Sequence, residues 1–297
     1  MALHKFLDPK NDYLFRRLFG EERHKDLLIY FINNILHLKG PHAVLDVSYL
    51  QTIQIPETAT KKQSIIDVLC SDENKNQFII EMQVEKMKGF EKRAQYYASK
   101  VYSNQLNKGE LYENLKPVIF ISMSDFIMFP NKREWKSSHI MLDKRTYEND
   151  LKDFSFTFIE LPKFNNAIEH LETVEEKWVY FFKHGHSSTD EEFEKFIGDD
   201  MILQKALHIT TEHSMTPAEW NAYQQSIKHE MDNRAAEKFK LEEAEEKGMR
   251  KGKAEGIAEG KRDIALAMIK AGESLDKISL FTGLSLSSLQ KINDFCE

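Results

Sequence analysis

Residues 64–83 read SIIDVLCSDENKNQFIIEMQ, and this stretch decides the fold and locates the candidate chemistry. SIIDVLC and QFIIEMQ are rich in β-branched and aromatic residues, and the polar DENKN between them marks a turn, so the stretch reads as a β-hairpin. Side chains alternate faces along a strand, which groups Ile65, Asp67 and Leu69 on one strand and Ile79, Glu81 and Gln83 on the other. With the turn centred on Asn74, residues whose numbers sum to 148 lie opposite each other, and Asp67 faces Glu81. Two opposed carboxylates repel at the roughly 5 Å that separates cross-strand Cβ atoms, so something must compensate them. A hard divalent cation would do so, because Mg²⁺ takes oxygen ligands and keeps waters and phosphate oxygens around it. The alternatives are a solvated strand face or a Lys or Arg partner for one of the acids.

Outward from the hairpin, residues 11–38 carry apolar residues at helical spacing in two runs, Leu14, Phe15, Leu18, Phe19 and then Leu27, Leu28, Phe31, Ile32, Ile35, which predicts two short helices. VLDVSYLQTIQI at 44–55 reads as extended chain. GFEKRAQYYASKVYSNQL at 89–106 is an amphipathic helix, KPVIFISMSDF at 116–126 suits a central strand buried on both faces, and FSFTFIEL at 154–161 is a further strand. This order predicts an α/β or α+β core with a mixed sheet. Beyond Leu161 the chain turns helical.

Three segments are expected: residues 1–219 as the main domain, 220–262 as a charged helical connector, and 263–297 as a small helix-turn-helix-like module. The connector is dominated by Glu, Lys and Ala, and Gly248, Gly252, Gly256 and Gly260 recur at every fourth position. Each of these glycines costs about 1 kcal/mol of helix stability relative to Ala. In the module, residues 264–270 and 275–281 form two helices and Ser285 caps a third, a pattern open to DNA binding, assembly or simple packing.

The chain has 297 residues, 41% of them hydrophobic, and a formal net charge of −7. That charge argues mildly against a surface that grips nucleic acid all over, but it leaves room for a local basic groove and for metal-binding acids. Cys70 and Cys296 form no disulfide framework and no zinc pattern, so a reducing cytoplasm is the expected compartment. No segment reads as a signal peptide or a membrane span. His184 and His186 form an isolated HxH pair, and no phosphate-binding glycine motif or nucleophile elbow occurs.

The hairpin, together with DPKNDYLFRRLFG at 8–20, FEKRAQYYASKVYSNQL and KPVIFISMSDF, resembles the PD-(D/E)XK nuclease superfamily. Within it the chain is most similar to the Rpn-type recombination-promoting nucleases, a transposase-like family, over residues 8 to about 185. The resemblance implies a restriction-endonuclease-like mixed sheet flanked by helices, here with a helical C-terminal extension. It implies a metal-dependent DNA endonuclease linked to DNA recombination or mobile elements. The implied site residues are Asp67 as first acid, Glu81 as second acid and Gln83 at the position where the superfamily usually has Lys. Asp67, Glu81 and the backbone carbonyl of Met82 would hold Mg²⁺, with Mn²⁺ as a substitute. Gln83 could orient a water but cannot take its proton, because an amide is no base near neutral pH.

Accessory candidates are Lys92, Arg93 and Gln95 at the start of the following helix, read either as phosphate contacts or as exposed polar residues. Asp12 is read either as an acid beside the metal or as a helix-start acid favoured by the dipole. Tyr96 and Tyr97 fit a core better than a stacking platform. The expected partner is DNA, with no membrane and with self-association through the C-terminal helices. The rival readings are a catalytically inactive DNA-binding or assembly protein, and an RNase using the same site.

Overall fold

The computed structural model describes residues 6–54 and 64–294. Ile55, the last residue of the expected 44–55 strand, and Cys296 lie outside the described residues. The chain divides into two units, Met1–Ile227 and Lys228–Glu297.

The first unit opens with helices α1 (Asp12–Phe19) and α2 (Lys25–Ile35), the two predicted from apolar spacing. Asn11 caps α1, its side-chain oxygen accepting from the backbone N–H of Tyr13 at 3.1 Å and of Leu14 at 3.4 Å. Gly20 ends the helix, where a Cβ would sit 2.8 Å from the carbonyl oxygen of Arg16. The extended region that follows contains β1 (Val47–Tyr49), β2 (Ile53–Gln54), β3 (Ser64–Ile65), β4 (Val68–Asp72) and β5 (Gln77–Gln83). After helix α3 (Phe90–Ser103) come β6 (Val118–Ser124), β7 (Lys136–Ile140) and β8 (Phe154–Glu160).

Six strands make one mixed sheet in the order β1-β4-β5-β6-β8-β7, with β5, β6 and β8 mutually parallel and the other pairs antiparallel. Strand β6 lies at the centre and is buried on both faces, as its continuous apolar run predicts. Ile121 and Met123 join a core with α1, α2 and three later helices, α4 (Val174–His184), α5 (Asp190–Ile197) and α6 (Met201–Ile209). Val118 and Phe120 face the other way, against Phe90, Ala94, Ala98 and Val101 of α3. The larger core is strongly aromatic: the rings of Phe19 and Phe31 lie 4.7 Å apart, and Trp178 of α4 stacks on Phe182 at 6.1 Å. This is the restriction-endonuclease-like architecture, a mixed sheet with helices on both faces.

Two details differ from the sequence reading. Residues 64–70 are not one strand: β3 pairs with β2 in a separate two-stranded sheet, and the chain passes through Ile66 and Asp67 before β4 begins. Strand β7, sequence KSSHI, was not expected, because its polar residues carry little of the β-branched and apolar signal. It is held as an edge strand by antiparallel pairing to β8.

Helix α7 (Pro217–Lys270) begins in the first unit and ends in the second, running unbroken through all four connector glycines. Its start belongs to the first unit through Tyr223, which is buried, and through Ser226, whose hydroxyl accepts from Asn11 Nδ2 at 3.0 Å. In the second unit Ala265 of α7 packs with Ile278 of α8 (Leu275–Thr282) and Leu289 of α9 (Leu286–Asp294). Gly283 takes φ +69° in the turn between α8 and α9, a left-handed conformation that favours glycine. Among the described residues no helix is long and apolar enough to cross a membrane.

Candidate active site

The hairpin register places the two acids together. Val68 pairs with Ile80, Leu69 with Ile79 and Cys70 with Phe78, so numbers sum to 148 as the turn position predicts. Asp67 stands one step beyond the last ladder pair, where the chain leaves β3 for β4. Released from the ladder, its backbone N–H donates to Glu81 Oε1 at 3.2 Å. In return Asp67 Oδ2 accepts from the backbone N–H of Met82 at 3.1 Å. Gln83, two residues on and on the same face, donates from Nε2 to Glu81 Oε2 at 3.3 Å and to the carbonyl oxygen of Met82 at 2.9 Å.

Each acid also has an arginine. Arg93 of α3 sets Nη2 3.3 Å from Glu81 Oε2, and Arg16 of α1 sets Nη2 3.1 Å from Asp67 Oδ1. Arg93 is held further by Met87 Sδ at 3.0 Å from Nη1 and by the rings of Phe90 and Tyr97 beneath its guanidinium, at 4.9 and 5.4 Å. Its Nε is buried with no hydrogen-bond partner. So is the hydroxyl of Ser122, the residue of β6 in register with Glu81 and on the same face of the sheet.

Burial is the main force on the two carboxyls. It raises Asp67 above the usual carboxylate range, against the opposing pull of the Met82 amide and Arg16. Burial and then the charge of Asp67 push Glu81 up to about 8, with Arg93 opposing. Glu160, at the end of β8, shows what a purely structural buried acid looks like here. It accepts from the backbone of Met128 at 2.7 Å and Phe129 at 3.1 Å and pairs with Lys163 at 2.7 Å. The contacts to Glu81 are longer: Oε1 accepts from the backbone N–H of Asp67 at 3.2 Å, and Oε2 from Gln83 Nε2 and Arg93 Nη2 at 3.3 Å.

The remaining candidates are placed as follows. Asp12 lies in the first turn of α1 next to its cap, four residues before Arg16, and its charge reaches Asp67. Lys92 is exposed, and Gln95 is exposed with its amide bonded to the carbonyl of Glu91 at 3.1 Å. Tyr97 packs against the α3 core while Tyr96 is exposed. Arg16 and Ser122 were not singled out from sequence. Arg16 is four residues after Asp12, a spacing that puts both on one helix face, whereas Ser122 sits in an apolar run and carries no signal of its own.

Among the described residues no three His, Cys, Asp or Glu side chains converge on one point. The donor set on offer is therefore two carboxylates and the Met82 carbonyl. It suits a hard cation that keeps much of its water, such as Mg²⁺ or Mn²⁺, and not a tetrahedral zinc site. The unpartnered hydroxyl of Ser122 and the carboxyls raised by burial fit such an ion.

A family model described as PD-(D/E)XK nuclease family transposase matches residues 9–239, which span both acids, Gln83 and both arginines. No curated protein and no solved structure matches the chain.

Proposed function

Since the chain belongs to the PD-(D/E)XK nuclease family transposases, whose nucleases generally use divalent metal ions, we propose that it is a Mg²⁺-dependent endonuclease that hydrolyses DNA phosphodiester bonds. The observation that carries this reading is the reciprocal seating of Asp67 and Glu81 beside Gln83 at the ends of the hairpin strands. Asp67, Glu81 and the Met82 carbonyl would hold the cation. When bound there, a divalent cation supplies Lewis acidity to the scissile phosphate and makes a water more acidic.

The chain's own residues do the positioning. Gln83 Nε2 is committed to two acceptors, so its Oε1 is the atom left to accept from the attacking water and aim the water's lone pair at phosphorus. The new bond is from water oxygen to phosphorus, and the bond that breaks joins phosphorus to the leaving sugar oxygen. Gln83 cannot remove the water's proton, which passes to solvent, and the leaving sugar oxygen takes up a proton from solvent to leave as a hydroxyl. Arg93 supplies positive charge where the phosphate's negative charge builds up.

The cellular role is DNA recombination or mobile-element biology, as the family description suggests. The C-terminal helices serve self-association or targeting rather than chemistry.

The test is cleavage of supercoiled plasmid by wild type and Glu81→Gln, with Mg²⁺, with Mn²⁺ and with chelator. Metal-dependent nicking by wild type and none by the variant is the expected result. Inert wild type that is folded, on DNA and on matched RNA, would remove the enzyme reading.

A further inference from the structure

Asp67 and Glu81 are each neutralised by an arginine, and the two arginines arrive from helices on opposite faces of the sheet. With both carboxyls ionised, as cation binding requires, Asp67, Glu81, Arg16 and Arg93 together carry no net charge. A divalent cation entering between the carboxylates would leave the cluster at +2, with two guanidinium groups beside it, and like charges at such separations repel whatever the detailed geometry. One of them must give way or gain an anion.

The two are unequally held. Arg93 is pinned by Met87, Phe90 and Tyr97, and its side chain is 22% exposed. Arg16 is 48% exposed and leans on Asp67 from the solvent side. Its guanidinium offers five donors, of which the contact to Asp67 uses one, and the planar fork matches two oxygens of a phosphodiester.

We propose that Arg16 is a displaceable stand-in for the cation, which neutralises Asp67 in the metal-free protein, is released when a divalent cation binds, and then takes the scissile phosphodiester as its ligand. This inference rests on the nuclease reading above. Arg16 thereby couples the two binding events: cation alone meets a repelling guanidinium, while cation with DNA finds that guanidinium already turned to phosphate. Metal and substrate bind with positive cooperativity.

The test compares wild type, Arg16→Gln, Arg16→Lys and Asp67→Asn, all checked for folding by circular dichroism. Mn²⁺ is titrated calorimetrically without DNA, and cleavage of a duplex oligonucleotide is measured separately. Arg16→Gln is expected to bind Mn²⁺ about tenfold more tightly, the size expected for removing a unit charge roughly 5 Å from a divalent ion in water-like screening. The same variant is expected to cleave more slowly, with a raised KM for DNA. Arg16→Lys keeps wild-type Mn²⁺ affinity and part of the cleavage. Unchanged or weaker Mn²⁺ binding by Arg16→Gln, or tighter binding with undiminished cleavage, overturns the stand-in role while leaving the nuclease reading intact. If Asp67→Asn binds Mn²⁺ as wild type does, the metal site itself is misassigned and both readings fall.

Discussion

The backbone amide of Asp67 donates to the carboxylate of Glu81 at 3.2 Å, while the carboxylate of Asp67 accepts at 3.1 Å from Met82, the residue after Glu81. The carboxylate of each acid is thus held by a backbone amide at or beside the other acid, and neither can move without disturbing both.

One consequence is a pH-dependent stability in the absence of metal. Glu81 is raised to about 8 by burial and by Asp67, whereas glutamate in an unfolded chain titrates near about 4.3. The folded state therefore binds a proton more tightly than the unfolded state, and stability falls as pH climbs between those values. In chelator, the melting temperature of wild type should drop from pH 5.5 to 8.5 by more than that of Glu81→Gln. Parallel profiles for the two proteins would show that Glu81 is not the group responsible.

Metal binding should reverse that trend. The cation needs ionised carboxylates, so at pH 7 its binding should release protons, seen as a binding heat that changes with the ionisation enthalpy of the buffer. It should also raise the melting temperature, since a ligand of the folded state alone stabilises it. Asp67→Asn should abolish both effects, and a buffer-independent heat for wild type would argue against carboxylate ligation.

Gln83 offers a separate check. Gln83→Leu removes the amide that bonds Glu81 and Met82, and should lower kcat by about 10² with little change in Mn²⁺ affinity. Gln83→Lys, which restores the superfamily's usual residue and can still donate to Glu81, should retain or exceed wild-type turnover. Equal rates for Gln83→Leu and wild type would assign the water's orientation to another group.

The two units make a truncation informative. A chain ending at Ile227 retains Tyr223 and Ser226 and should fold and cleave, while its assembly state, measured by light scattering, should be smaller than that of the full chain. A chain ending at residue 219 loses the buried Tyr223 and the Asn11 contact, and should melt at a lower temperature. Loss of cleavage from a folded 1–227 chain would place part of the chemistry in the second unit.

Much of the fold was legible from residue pattern. The register of β4 on β5, which brings Asp67 next to Glu81 one step past its end, follows from the position of a polar turn, and β6 from an apolar run too long and continuous for a one-sided strand. The strand KSSHI escaped notice because its stability comes from β8 and not from its own residues. Arg16 escaped for a related reason: it meets Asp67 across 51 positions of sequence, and no local period encodes such a contact. The candidate site is half visible in the sequence, since acids announce themselves by violating an apolar pattern while the arginines that pair with them sit on ordinary helix faces.

The break between β3 and β4 has a bearing on how this protein can vary. The small β2–β3 pair forms its own ladder, and Asp67 stands between that ladder and the pairing of β4 on β5. A change that loosens the β2–β3 pair therefore leaves the register of β4 on β5, and with it the place of Glu81, unaltered.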